Sequence, residues 1–206
     1  MVAHMYVPPA FSVAERGFAV ELIARYPFGL LIVCDGEYPH ATHVPMLVHE
    51  RDGDLWIVGH VARANAAAQS IQAEERATAA FRGPHAYVSA GWYEDPSANV
   101  PTWNYTAAHA CGRLRECDAP PLLEMMTTTF EAGKSDPWQI ERLEAAYYEK
   151  QLRGIVAFEI RVERLHVAAK LSQNRSEADR ARVAGELSRS PRPTDRDCAR
   201  AMLETQ

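Results

Sequence analysis

Between residues 29 and 59 the chain carries three runs of strand-forming residues separated by turn signals. Gly29-Leu-Leu-Ile-Val-Cys34 is apolar and rich in branched side chains, which fit a pleated sheet better than a helix. Asp35-Gly36 follows, and that pair readily adopts the left-handed conformations of a two-residue hairpin. A second run covers about His40 to His49, Arg51-Asp-Gly-Asp54 is another tight turn, and Leu55-Trp-Ile-Val-Gly59 is a third strand. Strands joined this closely can only pair antiparallel, because a parallel crossover needs a dozen or more residues. The chain is therefore committed early to a meander.

The remainder alternates strands with helices. Ser12-Val-Ala-Glu15 has the form of a capping box, with a helix through about Arg25 that ends before Pro27. Asn65 to Glu75 is alanine-rich and helical. Ala77 to Arg82 and Ala86 to Ser89 read as a pair of strands separated by Gly83-Pro84, with a loop from Gly91 to Val100. Trp103 to Ala110 and Gly112 to Glu116 make one long strand, or a strand bulged at Gly112. Helices are expected over Pro120 to Phe130 and Ile140 to Lys150. A strand runs from Gly154 to Val162, and Leu165 to Lys170 pairs beside it. Ser176 caps a helix to Leu187, Pro191 and Pro193 break the chain, and Thr194 caps a last helix to about Glu204. The order implies an antiparallel barrel with peripheral helices, α+β or mainly β. The expected division is a domain over 1–187 and a helical tail over 188–206.

The 206 residues are 47% hydrophobic, enough for one sizeable core or one core with a small appendage. No apolar run approaches the ~20 residues of a membrane helix, and Met1 to Phe11 lacks the pattern of a secretory signal. A cytoplasmic protein is expected. Cys34, Cys111, Cys117 and Cys198 form no CxxC pair and are sparse for a disulfide scaffold. Cys34, in an apolar run, reads as a small buried residue. Net charge is −5, yet residues 170–206 hold Lys170 and seven arginines against six acids. A modest basic tail on an acidic body can touch phosphate but is not the dense basic face of a DNA-binding domain. No Walker loop, GxGxxG, GxSxG or HExxH is present, and no helix pair has a basic recognition face.

Four polar and aromatic strings do not read as core: His40 to Pro45, Gly59 to Asn65, Val100 to Tyr105 and Lys170 to Arg175. His40 and His43 lie on a strand, where residues three apart face opposite ways, so they make a poor chelate. Pro45 removes a ladder donor and implies an edge or an opening in the sheet, which would free backbone groups of Val44 and its neighbours. Arg63 and Asn65 stand at a helix start, either as a phosphate clamp or as a surface Arg beside an Asn cap. Trp103 and Tyr105 share a strand face and Asn104 takes the other; the aromatics could wall a flat ring or fill a core. His109 on the same face is a proton donor or a packing residue. Lys170, Gln173, Asn174 and Arg175 form a second anion-friendly junction, or a capping loop with solvated charges.

Together with Met5-Tyr-Val-Pro-Pro-Ala-Phe11, Phe81-Arg-Gly-Pro-His-Ala-Tyr-Val-Ser89 and Trp92-Tyr93, these strings resemble the PaiB family of FMN-binding negative transcriptional regulators. The likeness runs from about Met5 to about Arg182. It implies a six-stranded antiparallel split β-barrel of the FMN-binding type and a homodimer with flavin at the interface. It would lay Thr42, His43, Val44 and Pro45 along the flavin. His60, Arg63 and Asn65 would meet phosphate and ribityl oxygens. Trp103, Asn104, Tyr105, Lys170, Gln173, Asn174 and Arg175 would reach the partner's flavin. Three functions are compatible with such a scaffold: a flavin-binding regulator or redox sensor, an FMN-dependent oxidoreductase with a small-molecule substrate, and a haem-binding or haem-degrading protein. The absence of a DNA-reading element argues against direct DNA contact by the first.

Overall fold

The computed structural model describes residues 5–34 and 38–204. Six strands dominate: β1 (Phe28–Cys34), β2 (Pro39–Arg51), β3 (Asp54–Ala62), β4 (Arg76–Val88), β5 (Thr102–Glu116) and β6 (Ile155–Lys170). Around them lie α1 (Arg16–Arg25), α2 (Ala67–Gln72), α3 (Ala119–Glu131), α4 (Ala145–Arg153), α5 (Glu177–Ser188) and α6 (Pro193–Glu204). The strand order is β1-β2-β3-β6-β5-β4, a closed barrel. Closure is made by β1 against β4, with Leu30, Leu31 and Ile32 opposite Ala80, Ala79 and Thr78. The expected antiparallel barrel with peripheral helices is what the chain forms.

The meander forms as expected. β1 pairs β2 from Phe28 and Pro45 to Cys34 and Pro39, and β2 pairs β3 from Met46 and Gly59 to Arg51 and Asp54. Asp52 and Gly53 turn the second hairpin at φ 54° and 83°, both left-handed as a two-residue turn requires. The Asp35-Gly36 turn lies outside the described residues. Along β1, Gly29, Leu31 and Val33 point inward. Cys34 follows with the opposite parity and is exposed, not the buried residue expected.

Two compact units make up the chain: one of residues 1–26, 81–109 and 166–206, the other of 27–80 and 110–165. The second holds the meander and the closing pair. Its β3 pairs β6 from Trp56 and Arg161 to Ala62 and Ile155. Leu47, Val58, Leu122, Met126 and Ala157 pack one apolar cluster there. In the first unit Val88, Leu171, Val183, Leu187, Cys198 and Met202 lie in another, so α5 and α6 are bound into that unit's core.

Several boundaries differ from the expectation. Ser12 does not cap a helix: it bridges to Ala168, and Val13 donates to the Val167 carbonyl. Its backbone serves sheet pairing, and α1 begins only at Arg16, after Glu15. Gly83-Pro84 does not interrupt the sheet. A Cβ at Gly83 would sit 2.4 Å from Thr106 Oγ1 and 2.5 Å from Leu22 Cδ1, so glycine serves close approach within the continuous β4. Gly112 likewise lies within an uninterrupted β5, where a Cβ would sit 1.9 Å from the Arg161 carbonyl oxygen. The stretches expected as neighbouring strands before and after residue 163 are one strand, β6. The helix read over 140–150 begins as a 3-10 turn, Ile140–Arg142, and becomes α4 at Ala145. Pro193 does not break the last helix; it opens α6, with Thr194 inside, because a first-turn proline loses no helical hydrogen bond.

Candidate functional site

The sequence-predicted residues fall into two groups, one in each unit. In the second unit the ladder between β2 and β3 stops at the pair Met46 and Gly59, while β2 goes on along β1 alone to Pro39. Met46 donates to the Pro27 carbonyl at 2.8 Å, so even-numbered residues of β2 spend their backbone groups on β1. In an antiparallel strand the sides alternate. Ala41, His43 and Pro45 therefore turn theirs to the side that β3 has left. Pro45 brings no N–H to that edge, which fits its place where the ladder ends. The sequence anticipated an opening at Pro45 that frees the backbone of Val44 and its neighbours; by the alternation it is the neighbours His43 and Pro45 whose backbone groups turn to that side, while Val44 pairs with Gly29 of β1.

Residues that follow the end of this ladder stand beside the opening. The Thr42 hydroxyl donates to Asn65 Oδ1 at 3.2 Å. The same oxygen accepts the Ala67 N–H at 2.9 Å, turning the chain into α2. Only the oxygen of Asn65 is used in these bonds, and its amide N–H donors have no partner among the described residues, so they can donate elsewhere. Burial holds His60 below the ordinary imidazole pKa, hence neutral near pH 7. Arg63 is exposed. Its Nε donates to the Arg153 carbonyl at 2.9 Å and its Nη2 to the Ile155 carbonyl at 2.7 Å. The guanidinium is thus aimed by the start of β6, with Nη1 left over. His43 stacks on Phe28 with ring centroids 5.9 Å apart. His40 shares its parity on β2 with Thr42, opposite to His43.

This set suits a flavin mononucleotide in chemical terms. Backbone groups at an open strand edge can meet the polar rim of a flat ring. An amide, a hydroxyl and a neutral imidazole suit ribityl hydroxyls, and a preset guanidinium suits a phosphate.

In the first unit Trp103 is 51% exposed. It stacks on His85 at 6.5 Å and meets Tyr87 edge-on at 6.0 Å. Tyr105 shares its side of β5 and is half-buried, whereas Asn104 points inward and is fully buried. Asn104 Nδ2 donates to Ser172 Oγ at 2.9 Å and to Met202 Sδ at 3.3 Å, so it fastens the 170–175 turn and α6. Gln173 is also spent internally: Oε1 accepts the Leu171 N–H at 2.7 Å, and Nε2 donates to the Ala169 carbonyl. Asn174 is exposed. Lys170 donates to Thr102 Oγ1 and lies 5.8 Å over the Phe11 ring. Arg175 donates to Asn99 Oδ1 at 2.6 Å and lies 4.8 Å over Tyr93. His109 is held below the usual imidazole pKa by burial and then by His166. His85 and Tyr87, which the family resemblance included without a role, join Trp103 in this aromatic group; both stand at alternate positions of β4, so they share a face.

Residues 5–164 match the family described as "Putative FMN-binding domain". Protease synthase and sporulation protein PAI 2 of Bacillus subtilis is 34% identical over 201 residues, 96% of each chain. The chain belongs to the PaiB-type FMN-binding family. Its cofactor is accordingly FMN. The PaiB-type fold is shared with solved structures at low identity. The FAD and heme binding protein of Mycobacterium smegmatis aligns at TM-score 0.59 and 15% identity, over 82% of this chain and 78% of that one. A flavocytochrome of Azotobacter vinelandii aligns at TM-score 0.59 and 12% identity, over 83% and 75%. Among the described residues no helix is long and apolar enough to cross a membrane.

Proposed function

We propose that this PaiB-type protein is a flavin-dependent negative regulator or redox sensor. FMN lies along the open edge of β2, between His43 and Pro45 on one side and His60, Arg63 and Asn65 on the other. The observation that carries the reading is the end of the β2–β3 ladder at Met46 and Gly59, which leaves strand backbone for a planar ligand. The regulatory role is supported by the sporulation protein at 34% identity. Exposed Trp103, with Tyr105 on its side of β5, is offered to the flavin of a second copy, so the working unit is a homodimer. Four unpaired cysteines suit a reducing cytoplasm.

Regulation runs through a partner protein. At the end of α5 Arg189 pairs with Glu186, and within α6 Arg200 pairs with Asp197, so two of the basic groups that could meet DNA are already matched by acids. The purified protein should show the visible absorption of oxidised flavin, or acquire it on adding FMN. A colourless protein that takes up no FMN ends the reading, and a Soret band would replace it with haem binding. Bleaching by NAD(P)H in air, restored by oxygen, would favour an oxidoreductase over a sensor.

A further inference from the structure

A small cleft in the first unit has the chemistry of an anion receptor. It measures about 180 Å³ and is lined by Lys170, Arg175, Thr102, Ser172, Tyr93 and Phe11 among others, none of them acidic. Neither cation has a carboxylate partner among the described residues. Lys170 spends one of its three donors on Thr102, and Arg175 spends Nη1 on Asn99. Each lies over an aromatic ring, Lys170 over Phe11 and Arg175 over Tyr93, which fixes them as a pair. Like charges held together cost free energy unless something offsets them. Burial and, after it, Arg175 hold Lys170 below its ordinary pKa.

A second observation is independent of the charges. Tyr93, which lines the same cleft, is 3% exposed, and its buried hydroxyl has no hydrogen-bond partner among the described residues. A buried donor left unmatched costs free energy, so such a group is normally explained by a missing partner. An oxyanion beside Lys170 and Arg175 would supply the acceptor. The cleft is also smaller than the roughly 300–1,000 Å³ of cofactor-sized pockets, so it does not suit an isoalloxazine ring.

We propose that this cleft binds a small free oxyanion, a phosphate or a short carboxylate, clamped by Lys170 and Arg175 with Tyr93 as a third donor. The proposal is independent of the FMN seat, which draws its phosphate clamp from Arg63. The alternative source of the same chemistry is the phosphate of FMN itself, and the experiment separates the two.

The full-length protein is titrated by calorimetry with inorganic phosphate and with acetate. The titrations are repeated on Lys170→Met, Arg175→Met and Tyr93→Phe, with melting curves to confirm folding. FMN and riboflavin affinities are measured on the same proteins. The proposal expects at least one of the two anions to bind the unaltered protein. Each cation variant should weaken that binding about tenfold, the scale of one charge-assisted hydrogen bond. Tyr93→Phe, which removes only the hydroxyl, should weaken it several-fold. Arg63→Ala, measured alongside, should lower the preference for FMN over riboflavin and leave anion binding as it was. Absence of binding by both anions, or affinities untouched by all three variants, overturns it. Loss of the FMN preference in the cation variants also overturns it, by giving the cleft to the flavin phosphate.

Discussion

At the scale of single residues, two positions carry more than their composition suggests. Arg63 is exposed, where an arginine usually contributes little, yet Nε and Nη2 are fixed on the carbonyls of Arg153 and Ile155. A side chain already immobilised loses little entropy on binding. Arg63→Ala should therefore lower FMN affinity by about 1.5–3 kcal/mol, the range for a charged hydrogen bond, as measured by fluorescence titration. An unchanged affinity removes Arg63 from the seat. Gly112 is the other. A Cβ there would meet backbone, the Arg161 oxygen at 1.9 Å, and backbone cannot swing aside as a side-chain tip can. Gly112→Ala should destabilise the fold by about 1–3 kcal/mol or more, as overpacking does, read as a lower urea midpoint.

At the scale of elements, the barrel strands of the second unit are tied by one carboxylate. Glu159 of β6 is 7% exposed. It accepts Arg115 of β5 at 2.6 Å and lies 3.1 Å from Arg51 of β2. Both guanidinium groups lie over Trp56 of β3, at 3.7 Å and 5.0 Å from the ring centre, so four strands meet in one charge and ring cluster. The arginines are about half exposed, so solvent screens some of the attraction. Glu159→Gln should still cost about 1–2 kcal/mol, because two guanidinium groups lose their charged acceptor. Thermal melting checks it; an unchanged midpoint would mean the cluster is held by packing on Trp56 alone. The same scale shows how far local signals reach. Ser176 Oγ accepts the Asp179 N–H at 3.1 Å and starts α5 as the sequence implied. Ser12 offers the same local pattern and starts nothing, because β6 competes for its backbone.

At the scale of the molecule, half-buried imidazoles shape the response to acid. His60, His49 and His109 are each held below the ordinary histidine pKa, first by burial. A depressed folded pKa means that the unfolded chain binds protons first as pH falls. Stability from these groups is fully present above about pH 6.5, the unfolded imidazole pKa. It falls as pH drops from there through the depressed folded values. Urea denaturation should accordingly show lower stability at about pH 5.5 than at about pH 7.5, with a shallower fall in a His60→Gln, His109→Gln double variant. Saturation with FMN should raise the stability by about 2.7 kcal/mol at a hundredfold excess over the dissociation constant. A melting temperature indifferent to FMN would contradict the proposed seat.

What depends on neighbours in the chain was legible from the residues alone. The meander was legible because a two-residue turn such as Asp52-Gly53 dictates the pairing of its flanking strands. The opening at Pro45 was legible because a proline cannot donate to a ladder on either side. Family membership was legible in the joint pattern of four polar strings, although each alone has an ordinary structural reading. Whether Gly83 and Gly112 turn the chain or let strands approach was settled by the folded chain, since a missing Cβ serves both and the atom it makes room for is far away in sequence. That His43 and Pro45, not Val44, face the opening also needed the fold, because the side of a strand that remains unpaired depends on register. Folding likewise supplied the partners of Asn104, since Ser172 and Met202 lie far along the chain, whereas Gln173 bonds within its own turn to Leu171 and Ala169.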